Sequence, residues 1–120
     1  MVYIKSVEWL DEGSLEAKII VSDGVYDIVC FSHPYIYNSK EYTGDLYCLN
    51  VSDIVRSETS VPYVDNNNGY FENRICAQLV DKEVGRVLVG EICILIEPQY
   101  IPKDICLGEY IEFYVGRIDL

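Results

Sequence analysis

Leu15-Glu16-Ala17-Lys18-Ile19-Ile20-Val21-Ser22-Asp23-Gly24-Val25-Tyr26-Asp27-Ile28-Val29-Cys30-Phe31 is the stretch on which the fold turns. Apolar residues alternate on both sides of Asp23-Gly24, a dipeptide that supplies the two positive φ angles of a type I′ hairpin turn. A two-residue turn there sets Val21 opposite Tyr26, Ile19 opposite Ile28 and Ala17 opposite Cys30, all on one face. Lys18 and Asp27 lie on a diagonal of the other face, which suits solvent. The stretch therefore reads as an antiparallel hairpin.

Working outward, residues 2–10 alternate Val2 and Ile4 with Tyr3 and Lys5, and Asp11-Glu12-Gly13-Ser14 reads as a turn. Beyond the hairpin, 32–44 holds Pro34 among polar residues and reads as a long loop, followed by a short strand over 46–51. Ser52 is placed to cap one helical turn over 52–55. Residues 56–69, with Pro62 and Asn66-Asn67-Asn68-Gly69, read as a second loop. Over 71–80 the apolar pattern fits a helix (Phe71, Ile75, Leu79) as well as a strand. Folding it onto 87–96 pairs Leu79 with Leu88, Ala77 with Gly90 and Ile75 with Ile92, one apolar face throughout. That consistency selects the strand. Pro98 and Pro102 bracket a turn, and 108–115 alternates, with Ile111, Phe113 and Val115 facing one way.

Short β-rich segments with frequent turn signals predict an all-β domain spanning 1–120. The expected architecture is a small closed or partly open antiparallel barrel of six to seven strands, OB-like or a related Greek key, with at most one short helix. Curling into a barrel removes the apolar edges such strands would otherwise expose. Gly24, Gly90 and Gly108 are expected at its turns and bends.

The chain carries 9 Lys and Arg against 20 Asp and Glu, a net charge of −11. Half of its residues are hydrophobic, which excludes a disordered acidic tail. The basic residues are scattered, so phosphate backbones would be repelled and nucleic acid is not an expected partner. No apolar run approaches the ~20 residues that span a bilayer, and the first residues lack a secretory pattern. Five cysteines, an odd count without a C-x-x-C, sit in apolar settings and read as reduced core thiols. These features predict a cytoplasmic chain that does not bind membranes.

Chemistry-bearing motifs are weak. Cys30 and His33 form a C-x-x-H, half of a zinc ligand set without a second pair. Cys30 points to the predicted core, where a thiol is inert. Asp65-Asn66-Asn67-Asn68-Gly69 opens like a calcium loop, but Cys76 stands where the bidentate Glu is needed. The carboxylate pairs Asp11/Glu12, Asp81/Glu83 and Glu109/Glu112 read as solvated surface. No metal or cofactor is expected, and no motif supports an enzyme.

The tyrosines are more informative. Tyr35, Tyr37 and Tyr42 share one polar loop, while Tyr63, Tyr70 and Tyr100 fall in or beside others. Tyrosine offers a large, rigid contact area with one polar handle, which suits protein interfaces. The leading expectation is an acidic protein-binding module that meets a protein partner through Tyr35, Tyr37 and Tyr42, and a basic partner is the case that the charge would favour. An immunity- or inhibitor-type protein is a special case of it. The alternatives are a small-molecule barrel or enzyme with a site near His33, and, against the charge, an OB-like single-strand binder. Oligomeric state is not readable from the residues.

Overall fold

The computed structural model describes residues 1–36, 39–66 and 70–120. The β-branched and aromatic runs form β1 (Tyr3–Asp11), β2 (Glu16–Ser22), β3 (Asp27–Ser32), β4 (Leu46–Arg56) and β5 (Tyr63–Asn66). They continue as β6 (Asn73–Asp81), β7 (Arg86–Val89), β8 (Ile92–Leu95) and β9 (Tyr110–Asp119). Among the described residues the only helical element is a 3-10 turn at Pro98–Tyr100.

Five strands close into a barrel. β6, β7 and β8 form a meander, β8 lies parallel to β4, and β9 runs antiparallel between β4 and β6. β1, β2 and β3 form an antiparallel sheet that joins β9 at one point, Phe31 opposite Asp119. β5 pairs with the start of β6. The interior takes Ile75, Ala77 and Leu79 from β6, Val87 and Val89 from β7, and Ile111, Phe113 and Val115 from β9. Ile101 and Ile105, from the connection before β9, join the same cluster. Removing a fully buried side chain such as Phe113 would cost about 3–5 kcal/mol.

The all-β class and the barrel agree with the sequence, but the barrel closes with five strands rather than six or seven, and the described residues hold four more outside it. The first hairpin forms with its register displaced by two: Val21 pairs with Ile28 and Ile19 with Cys30. The loop spans four residues because the Asp23 carboxylate accepts hydrogen bonds from the Val25 and Tyr26 amides at 2.9 and 2.8 Å. A shift of two leaves every side chain on its expected face.

Three further expectations are corrected. The segment over 52–55 is not a helical turn, since β4 runs on to Arg56. The loop over 56–69 contains β5. The segment over 87–96 is two strands, folded back at Gly90-Glu91 with Val89 opposite Ile92. β6 consequently meets only β7 there, with Leu79 opposite Val87 rather than Leu88. Gly24, Gly90 and Gly108 all have positive φ, as expected of turn glycines. At Gly90 the close approach is also decisive, because a Cβ would collide with the Asp23 carboxylate and the Tyr26 ring.

Candidate functional site

The 33–36 segment carries the first candidate surface. Tyr35 donates its amide to the Leu15 carbonyl at 2.9 Å, tying this segment to the turn between β1 and β2. Its ring meets Trp9 edge-on, with centroids 5.8 Å apart and planes at 62°. β1 is the outermost strand, with β2 as its one neighbour along most of its length, so its side chains are covered from one side. Trp9 is 40% exposed, and Val7, Leu10, Leu15 and Ile36 are also exposed beside it. Val7 and Trp9 stand opposite Ile19 and Ala17 on the inward side of the sheet, while Glu8, bound to Lys18 at 3.4 Å, and the Asp11–Glu16 pair lie on its other side.

Tyr42 does not belong to that surface. It is 8% exposed, and its hydroxyl donates to the Asp45 carbonyl at 2.9 Å, which fixes the end of the long loop. Tyr37 lies outside the described residues. Trp9 was not among the aromatics that the sequence singled out. The signal available was its place in a first strand, where edge position leaves an inward-patterned residue open.

A groove of about 1080 Å³ is the second candidate. Its floor is the β4–β9 pair, where Leu49 stands opposite Arg117. One wall is the segment Tyr70-Phe71-Glu72 before β6, and the other comes from Glu97 and Tyr100 after β8. Tyr70 and Tyr100 are 68% and 58% exposed. Arg117 is held by Asp119 through two hydrogen bonds of 2.7 and 2.9 Å and lies 4.4 Å over the Phe31 ring. Its charge is thereby offset. Among the described residues neither Glu72 nor Glu97 is ion-paired, and only Gln99 bonds to the Glu97 carboxylate.

A third constellation is a polar network outside the barrel. Glu112 accepts from Ser57 at 2.6 Å, Tyr63 at 2.7 Å and Arg74 at 2.8 Å. Arg74 also donates to the Tyr63 hydroxyl and stacks 4.6 Å over Tyr114. The Cys76 thiol donates to Ser57 at 3.5 Å, and burial raises its pKa, so it is no activated nucleophile. The network ties β5 and its preceding loop to β6 and β9.

No protein-family model, curated protein or solved structure matches this chain. The chain's own geometry is what bears on its function.

That geometry separates Cys30 from His33. Cys30 faces the core, its thiol donates to the Ile28 carbonyl at 3.7 Å, and burial pushes its pKa well up. His33 is exposed at the end of β3, its ring 6.5 Å from Phe31, and it lines neither the groove nor the smaller pocket beside Tyr42. Cys106 is exposed rather than in the core, and all five cysteines are free. Glu109 and Glu112 are engaged by different arginines, Arg56 and Arg74. Of the calcium-like run, Asn66 donates to Tyr70, Glu72 and Asn73, while residues 67–69 lie outside the described residues. Among the described residues no group of three His, Cys, Asp or Glu converges, and no helix is long and apolar enough to cross a membrane.

Proposed function

We propose that this chain is a non-catalytic binding module whose partner is a protein with a basic surface and an apolar tip. The partner docks on Trp9 and Tyr35. The observation that carries this reading is the half-exposed Trp9, held edge-on by Tyr35 at the open edge of β1, on a chain with a net charge of −11. Trp and Tyr are the side chains that most often dominate interface energies, and surplus negative charge speeds encounter with cationic partners. An immunity or inhibitor protein acting on a basic enzyme has this character.

The strand pairings support an OB-type reading of the barrel. The meander β6–β7–β8, the parallel β8–β4 pair and β9 between β4 and β6 follow the OB cycle, with its last strand, β4, placed first in the chain. The outer aromatics do not favour nucleic acid, because Arg74 and Arg117 beside them are already paired with Glu112 and Asp119.

Affinity capture with the purified chain tests the reading. At low salt the wild type should retain a partner of basic isoelectric point, and retention should fall as salt rises. Trp9→Ala should weaken binding by about 2 kcal/mol while leaving the circular dichroism unchanged. An acidic partner, or one held equally by Trp9→Ala, would sink the proposal.

A further inference from the structure

We infer that the groove between Tyr70–Glu72 and Glu97–Tyr100 is a second binding site, for an extended, positively charged segment of a partner protein. It shares no residue with the Trp9 surface, so either can be wrong without the other.

At about 1080 Å³ the groove reaches the top of the range of ordinary small-molecule pockets, about 300–1,000 Å³. It is a channel over a two-stranded floor, with a wall along each side. Charge then selects among chain segments. Two carboxylates with no ionic partner among the described residues, Glu72 and Glu97, stand on the two walls, and the cation of the floor, Arg117, is already neutralised by Asp119. Tyr70 and Tyr100, more than half exposed, offer ring faces on which a lysine or arginine stem can lie and a guanidinium can stack. Leu49 supplies an apolar floor contact between them.

The floor also dictates how the segment is read. Beyond Tyr47 the edge of β4 away from β9 carries no further strand among the described residues, which would invite strand addition. Asn50 and Asp53, however, have φ of 57° and 55°, and these kinks break the flat ladder an added strand would require. Recognition therefore rests on side chains, carboxylate to cation and ring to stem.

The test uses an amidated hexapeptide alternating arginine and leucine, titrated into the ¹⁵N-labelled chain. Saturable shifts are expected at residues 49–51, 70–72, 97–100 and 116–117, with Trp9 unmoved. The double variant Glu72→Gln/Glu97→Gln should bind at least about tenfold more weakly, because each neutralisation removes a charge-assisted contact. Tyr100→Ala should also weaken binding. The glutamate–leucine counterpart should not bind. Equal affinity for the two peptides, an unaffected double variant, or spermidine binding as tightly as the peptide would each overturn the inference.

Discussion

Glu112 takes hydrogen bonds from Ser57, Tyr63 and Arg74, and these hold its carboxyl below the ordinary glutamate range. The Ser57 bond is the largest contributor, with Tyr63 next. Burial opposes the shift and is outweighed. A carboxylate whose folded pKa is depressed contributes stability that is fully present above its unfolded pKa, roughly 4.3. That contribution is lost as pH falls through the folded value. Glu112→Gln keeps the shape but removes the charge that three donors share. The variant should be less stable than wild type by about 2 kcal/mol at pH 7. The difference should shrink steadily below about pH 4. Urea unfolding of both proteins from pH 7 to pH 3 measures it, and a gap that stays constant with pH would show that the charge is not the cause.

β4 shows how one element departs from its sequence pattern. Its inward residues are Leu46, Cys48, Val51 and Ile54, spaced by two, three and three. A regular strand repeats every two, and each three-residue step contains one residue of positive φ, Asn50 and then Asp53. Asn and Asp tolerate that region better than other non-glycine residues. Opposite Asn50 the chain has Gly116, where a Cβ would approach Asn50 to 3.0 Å. Asn50→Gly should therefore stay within about 0.5 kcal/mol of wild type, while Asn50→Val should fall at least about 1 kcal/mol below the glycine variant. Asn50 is exposed, so thermal unfolding of the pair reads backbone conformation rather than lost packing. Equal stability of the two variants would contradict the kink. The helical turn expected over 52–55 rested on Ser52 as a cap, but Ser52 pairs with Tyr114 in the ladder and the kink at Asp53 carries the strand onward. In β2, β3, β6 and β9 up to Val115 the two-residue period was intact, and their inward faces were legible. Registers were less so, because the Asp23 carboxylate enlarged a turn and Gly90 folded an apolar run in half. The groove could not be read at all, since residues 48–51, 70–72, 97–100 and 116–117 meet only through the barrel's closure.

For the whole molecule the surplus negative charge has two opposite consequences, and salt separates them. The chain measures 45 × 27 × 26 Å. At 0.01 M ionic strength the screening length is about 30 Å, so unpaired carboxylates repel one another across the whole short dimension. At 0.15 M it is about 8 Å, and only neighbours interact. The close pairs, such as Arg74 with Glu112 at 2.8 Å and Arg56 with Glu109 at 2.7 Å, lie well inside both lengths and are weakened least. Salt therefore removes long-range repulsion faster than it removes attraction. Raising NaCl from 0.01 to 0.15 M should stabilise the fold by on the order of 1 kcal/mol, a rise of roughly 4 °C in its midpoint. Over the same range, association with a basic partner should slow, because the field that steers it is screened. Scanning calorimetry across that range, repeated with MgCl₂ at matched ionic strength, separates screening from ion-specific binding. A midpoint that falls with salt would mean that local ion pairs, not the −11 surplus, govern this protein's electrostatics.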